Sequence, residues 1–326
     1  MKIFSVSPIE MGIDIAKFLL YNYEIQEPFF WVFCPNSILE VINMRIPMAQ
    51  MLQAAKKGRY GCPAPNVFSW DDVRSAYELS VQYKAPIIID MAPIPSLMEP
   101  IAEAVKFYNN KFPEAVVTLN LDHGDTFENL MAALRYGFDS VMIDRSMLDL
   151  EGNIKETREI CQIAHATGVS VEAELGHVGY NADYAVHEEQ ASALTDPAEA
   201  ERFVKETGVD CLAVSIGTSH GVYKNGTPYL DFDLLGKLDR LLDIPLVLHG
   251  GSGSGDEQLK KAVAMGIQKV NLCTDLTDAG YENMRRFCDS ITNRTPTSTE
   301  VYDSQAQGYK DKLEHYLKLF GCTGCI

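Results

Sequence analysis

The sequence predicts an α/β protein folded as a (β/α)8 (TIM) barrel. Strand-like and helix-like segments alternate over roughly 250 residues, the usual length of such a barrel. The strand-like runs are continuously apolar, as parallel strands covered on both faces must be. Three of the seven histidines end three of these runs, each beside a glycine. His123 closes Ala115–Asn120 through Leu121-Asp122-His123-Gly124, His220 follows Cys211–Ile216, and His249 follows Ile244–Leu248. An open doubly wound sheet is the competing arrangement of the same alternation.

The elements follow in order. Helical spacing over Met48–Lys57 precedes a strand at about Gly61–Val67. Asp71 and Asp72 open a helix to Tyr83, followed by the strand Ala85–Asp90 and a helix over Leu97–Lys111. The strand before His123 leads to a helix at Phe127–Tyr136, then Ser140–Asp144 (strand) and Ile154–Ala166 (helix). Ser170–Leu175 is a strand with Glu172 and Glu174 on one face, and Asp196-Pro197 caps a helix ending near Thr207. The strand ending at Ile216 precedes a helix over Phe232–Leu241 and the strand before His249. Helix Asp256–Met265, strand Lys269–Leu272 and a helix near Leu276–Arg286 complete eight βα units, with a C-terminal helix over about Asp303–Leu319.

The chain of 326 residues is 46% hydrophobic, enough for a large core. A net charge of -17 and a pI near 4.8 argue against nucleic acid as partner, while leaving room for a local cationic pocket. No apolar run approaches the roughly 20 residues of a membrane span, and with acidic residues ahead of any apolar core the N-terminus is not expected to be a signal peptide. The eight cysteines (34, 62, 161, 211, 273, 288, 322, 325) are dispersed, as expected for reduced thiols of a cytoplasmic protein. Cys322-Thr323-Gly324-Cys325 has redox or metal spacing but no second pair near it in sequence. Residues 1–45 form an N-terminal extension of unassigned role around Phe29-Phe30-Trp31-Val32-Phe33, and 46–326 the barrel with its C-terminal helix.

At the C-terminal strand ends of a barrel, six positions converge: Asp122, His123, Asp144, Glu174, His220 and His249. Three imidazoles with nearby carboxylates suit Zn²⁺ with an open position, a catalytic rather than a structural site. Space-filling histidines bonded to backbone are the alternative use of the same residues. His165 and His315 fall on helices, and His177 and His187 flank the loop after Leu175, where His177 can reach a substrate. His249-Gly250-Gly251-Ser252-Gly253 and Asn271-Leu272-Cys273-Thr274 end the last two strands, where barrels often hold phosphate on backbone N–H groups. Neither an early Gly-x-Gly-x-x-Gly nor a Walker lysine suggests a nucleotide.

From about Pro47 onward the chain resembles the class II, zinc-dependent ketose-bisphosphate aldolases. The resemblance rests on LDHG at 121–124, VMID at 141–144, SVEAELG at 170–176, TDP at 195–197, IGTSHG at 216–221, PLVLHGGSG at 245–253 and KVNLCT at 269–274. It implies zinc bound through His123, His220 and His249, with Asp144 and Glu174 contacting the metal in alternate or second placements or supporting its ligands. Asp122 matches the catalytic acid/base. Gly221, Gly250, Ser252 and Thr274 match phosphate contacts of dihydroxyacetone phosphate, and Asn271 a substrate-binding amide. A phosphorylated ketose substrate and a homodimer or homotetramer are implied, with zinc, cobalt or manganese as the native metal.

The chemistry fits these residues: cleavage needs a base for the C4 hydroxyl proton and an electrophile for the charge left on the three-carbon half. Three departures stand out. Where the family carries a Gly-Gly-x-Glu-Asp loop, the sequence reads Val178-Gly179-Tyr180-Asn181-Ala182-Asp183, with Ala182 at the acidic position; either Asp183 or Glu188 substitutes, or the proton-transfer step is weakened. Arg145 follows Asp144 in place of a small residue, with Met147 where the family often has His; Arg145 suits either an anionic substrate group or a local salt bridge. The N-terminal extension has no counterpart. The expected reaction is reversible cleavage of a ketose 1-phosphate or 1,6-bisphosphate to dihydroxyacetone phosphate and an aldehyde. An anionic, non-phosphorylated aldehyde of sugar-acid type, or a non-catalytic sugar-phosphate-binding protein, are the rivals.

Overall fold

The computed structural model describes residues 45–179, 194–221, 223 and 226–326. Eight parallel strands form one sheet: β1 (Cys62–Pro65), β2 (Ile87–Met91), β3 (Val117–Gly124), β4 (Ser140–Ile143), β5 (Ser170–Leu175), β6 (Cys211–Val214), β7 (Leu246–Leu248) and β8 (Ile267–Leu272). Consecutive strands from β2 to β8 pair side by side, and β8 pairs with β1. The last seam is joined at Asn66, which bridges Asp90 while its N–H donates to Leu272 O at 2.9 Å; Val67 N–H reaches Asp90 O at 3.1 Å. This is a (β/α)8 barrel, and it decides against the open sheet.

Helices α1 (Met48–Gly58), α2 (Trp70–Tyr83), α3 (Pro95–Lys111), α4 (Phe127–Tyr136) and α5 (Leu150–His165) lie in the first half. They are followed by α6 (Pro197–Thr207), α7 (Phe232–Leu241), α8 (Asp256–Ala264), α9 (Thr274–Ser290) and α10 (Ser298–Leu319). Their starts are chemically marked. Ser69 and Asp72 form a capping box on α2, and the Asp196 carboxylate caps α6 with Pro197 at its first position. α10 begins five residues before the expected Asp303 because Thr297 and Glu300 make a second capping box. α5 likewise starts at Leu150, capped by Asp149, its first turn masked in the sequence by Glu151 and Gly152. β7 begins only after Pro245, which has no N–H for a ladder, and β8 extends back from Lys269 through the polar Gln268 to Ile267.

α10 packs against α9 and α2 outside the barrel. At Gly308 a Cβ would stand 2.3 Å from Ala279 O, so only glycine permits this approach of α10 to α9. The end of the barrel at the strands' N-termini is tied by Arg45, whose guanidinium donates to Asp139 Oδ2 (3.1 and 2.8 Å) and to Gly137 O (2.8 Å).

Candidate active site

At the opposite end, one irregularity in β3 creates the site. Successive residues of a regular strand point to opposite faces, so Asp122 and His123 should diverge. Instead the register against β4 shifts between Leu121 and Gly124, and His123 takes φ 52°, a left-handed conformation uncommon for a side-chain-bearing residue. Both side chains consequently serve one place, with His123 Nε2 3.8 Å from Asp122 Oδ1.

Asp122 is buried and doubly held. Asn66 Nδ2 donates to its Oδ2 at 2.9 Å, and Asn271 Nδ2 to its Oδ1 at 3.0 Å. Burial alone would raise its pKa, but His123, His249, Lys269 and the Asn66 amide outweigh it and the carboxyl is lowered. Asn271 keeps its own carbonyl oxygen buried and unbonded among the described residues.

The histidines face one another, with ring centroids 4.7 Å apart for His123–His249, 4.9 Å for His123–His220 and 5.7 Å for His220–His249. Carboxylates set their tautomers. His123 Nδ1 lies 2.9 Å from Asp144 Oδ2, and His249 Nε2 lies 2.8 Å from Glu172 Oε1. A carboxylate accepts, so each of these nitrogens carries the proton and the far nitrogen of each ring presents a lone pair. Those two nitrogens, His123 Nε2 and His249 Nδ1, stand 3.0 Å apart. Two lone pairs at that distance repel unless a cation or proton lies between them. Nitrogens sharing a tetrahedral Zn²⁺ sit roughly 3.3 Å apart, close to what is found. Without a metal a proton takes the place: burial would lower the His123 pKa, but Asp122 and Asp144 raise it to about 10, while burial and the charge on His123 push His220 down to about 4.

Two sets of ligand atoms lie mutually within 4.8 Å: His123, His220 and His249, and His123, Asp144 and Glu174. Glu174 is fully buried; its Oε1 accepts from Val178 N–H at 2.9 Å, and Oε2 has no hydrogen-bond partner among the described residues. Burial, reinforced by Asp144, raises its pKa to about 8. An orphaned carboxylate oxygen beside three imidazoles is a donor set that fits a divalent cation.

Beside this cluster the glycine loop after β7 meets the start of α9. Ser252 Oγ accepts the N–H groups of Cys273 and Asp275, both at 3.2 Å. Gly250 has φ 68°, and a Cβ there would stand 2.4 Å from Ser219 O, so the loops carrying His220 and His249 touch backbone to backbone. Tyr223 clamps them, its hydroxyl accepting from Ser219 N–H (2.9 Å) and lying 3.0 Å from Gly250 O. Thr274 opens α9, and Gly221 is an exposed residue directly after His220.

The structure therefore brings Asp122, His123, Asp144, Glu174, His220, His249 and Asn271 together, and sets Ser252 and Gly250 on adjoining loops. His177 joins them: its Nδ1 is 3.0 Å from Ser146 Oγ, itself 2.8 Å from Asp144 Oδ1. His165 and His315 are remote, paired with Asp210 (2.8 Å) and Asp256 (3.0 Å). Arg145 resolves toward the local ion pair, bonding Glu156 and donating to Asp144 O at 2.7 Å, and Met147 is exposed. Ala182, Asp183, His187 and Glu188 lie outside the described residues, as do 1–44. Cys322 and Cys325 are free thiols, the first buried and the second exposed.

A barrel with acid, base and cation-binding groups gathered at its C-terminal strand ends is an enzyme's architecture. The class-II fructose-bisphosphate aldolase profile matches residues 46–325, and the chain belongs to that family. The fructose-bisphosphate aldolase of Thermus caldophilus is 35% identical over 314 residues, covering 86% of this chain and 99% of its own. That of Geobacillus stearothermophilus is 36% identical over 266 residues, 79% of this chain and 88% of its own. Among solved structures, the YdjI aldolase of Escherichia coli K12 superposes with a TM-score of 0.74 at 29% identity, over 86% of this chain and 99% of that one. The protein is an aldolase, a carbon–carbon lyase of carbohydrate metabolism.

Proposed function

We propose that the protein is a metal-dependent aldolase that reversibly cleaves a ketose 1-phosphate or ketose 1,6-bisphosphate to dihydroxyacetone phosphate and an aldehyde. The observation that carries this reading is the 3.0 Å approach of His123 Nε2 to His249 Nδ1 beside Asp122, with the other nitrogen of each ring held by a carboxylate. His123, His220 and His249 would hold the ion, with Glu174 and Asp144 within reach of it. A bound Zn²⁺ supplies Lewis-acid stabilisation of the negative charge that bond cleavage leaves on the three-carbon half.

The chain's own groups do the rest. Asp122 takes the proton of the C4 hydroxyl as the C3–C4 bond breaks, and returns it in the condensation direction. The Asn66 and Asn271 amides orient that carboxylate, and the unbonded Asn271 oxygen is free to accept a substrate hydroxyl. Gly250, Ser252, Gly221 and Thr274 would cradle the phosphate at the start of α9. The acid that protonates C3 is expected from the loop after Val178, at Asp183 or Glu188.

Because Arg145 is engaged by Glu156, it is not a dedicated cation for an anionic group on the aldehyde, whether carboxylate or phosphate. Free thiols at all seven described cysteines support a reducing, cytoplasmic setting. Among the described residues no helix is long and apolar enough to cross a membrane.

Exchange of the hydroxymethyl protons of dihydroxyacetone phosphate in D₂O, followed by NMR with and without chelator, tests the reading without choosing an aldehyde. Exchange that the chelator abolishes is expected. A zinc-loaded, folded protein that binds the compound without exchange would move the assignment to a sugar-phosphate-binding protein.

A further inference from the structure

Below the histidines the barrel interior holds three charges that metal chelation and proton transfer do not use. Asp90 on β2, Glu172 on β5 and Lys269 on β8 are each 0% exposed. Lys269 Nζ lies 2.7 Å from Glu172 Oε2 and 3.2 Å from Asp90 Oδ2, and Asn120 Nδ2 donates to Asp90 Oδ1 at 2.8 Å. Stability gives no reason for this layer, since apolar side chains of similar volume commonly serve a core as well as a buried ion pair does. Among the described residues its connection toward the site is Glu172 Oε1, which accepts from His249 Nε2 at 2.8 Å.

We propose that Glu172 is a positioning residue for His249, and that Asp90 and Lys269 are there to aim it. An imidazole carrying its proton on Nδ1 would turn a donor toward His123 and could not ligate a cation from that atom. Glu172 removes this choice by accepting from Nε2, so Nδ1 always presents its lone pair. Glu172 can in turn swing about its own side-chain torsions, and Lys269 pins the second oxygen, with Asp90 and Asn120 fixing the ammonium from the other side. The chain Asn120–Asp90–Lys269–Glu172–His249 runs through four strands to the residue just past β7, so the orientation of one ligand is fixed by the barrel wall rather than by its loop. Histidines that bind metals commonly rely on such a carboxylate behind them. The proposal rests on His249 being a metal ligand.

The test is titration of metal-free protein with Co²⁺, read by visible absorption, and with Zn²⁺ by competition, for the wild type, E172Q and E172D. E172Q replaces a charged acceptor by an amide that can also turn its NH₂ toward His249. E172D keeps the charge opposite Lys269 but draws the carboxylate back by one methylene. Both variants are expected to bind about 10–100-fold more weakly, with altered cobalt bands, while thermal melting shows them folded. In ¹⁵N NMR of the zinc-loaded wild type, His249 should be coordinated through Nδ1 and protonated on Nε2. Should E172Q fail to fold, E172D decides alone. Wild-type affinity and wild-type cobalt bands in a folded variant would overturn the positioning role while leaving the metal site standing. A wild type that binds neither ion would overturn both.

Discussion

Asp139, half-buried, and Glu174, fully buried, are carboxylates at opposite ends of the barrel, and their oxygens are treated differently. Asp139, just before β4, has one oxygen crowded with donors: two from the Arg45 guanidinium and the N–H of Leu119 at 2.8 Å. Glu174, at the far end of β5, receives one backbone N–H and leaves Oε2 without a hydrogen bond among the described residues. Folding alone favours the first arrangement, because a buried acceptor without a donor costs free energy. The second is tolerated where something other than the chain completes the coordination. One end of the barrel is built to close and the other to receive.

The largest effect expected from this division is at the receiving end. Asp122→Asn should lower cleavage of whichever phosphorylated ketose the wild type turns over by about 10²–10⁴-fold, the usual worth of a positioned acid/base, in a protein that still binds metal. Loss of both cleavage and metal binding would mean that Asp122 serves the site's architecture instead. At the closing end, Arg45→Met should cost about 2–3 kcal/mol in urea unfolding and leave metal affinity unchanged. That is below the full penalty for breaking a buried pair because the Arg45 side chain is 21% exposed.

Glu174→Gln sharpens the contrast through pH. With its pKa raised to about 8, Glu174 keeps a proton in the folded metal-free protein that the unfolded chain gives up near pH 4.3. Folded Glu174 therefore binds more protons than unfolded Glu174 across this window, and its contribution to stability falls as pH rises from about 4.3 to 8. Metal-free E174Q should lack that slope in a series of melting curves, and a slope identical to wild type would remove Glu174 from the account. The smallest effect belongs to Ser252→Ala, which frees two N–H groups at the start of α9. A few-fold rise in KM for the phosphorylated ketose with little change in kcat is expected.

Most of the barrel was legible because parallel strands advertise themselves: β5, α4 and α7 fall where their apolar patterns put them. Errors gathered at ends, where one capping residue outweighs periodicity, as Thr297 does for α10. The convergence of Asp122, His123, Asp144, Glu174, His220 and His249 followed from their shared place after strands. The bulge that turns His123 inward did not, since nothing in Leu-Asp-His-Gly announces a left-handed residue. Glu172, Lys269, Asp90 and Asn120 were missed as parts of one network, and Asn66 as a support of Asp122. A lysine inside the apolar run of β8 and a second acid two residues before Glu174 were the available signals, but a buried charge names its need for a partner and not the partner.

Tyr309 on α10 donates its hydroxyl proton to Asn66 O at 2.8 Å, across 243 residues of chain, and Asn66 in turn holds Asp122. During synthesis, then, the strand and loop that present Asp122 emerge long before the helix that steadies their support. A chain ending ahead of Ser298 and released from the ribosome should own all eight strands and still carry a loosely held Asp122, detectable as weak ketose cleavage despite normal metal uptake. Readiness for chemistry would arrive as a late event in the life of the nascent chain, separate from the closing of its barrel.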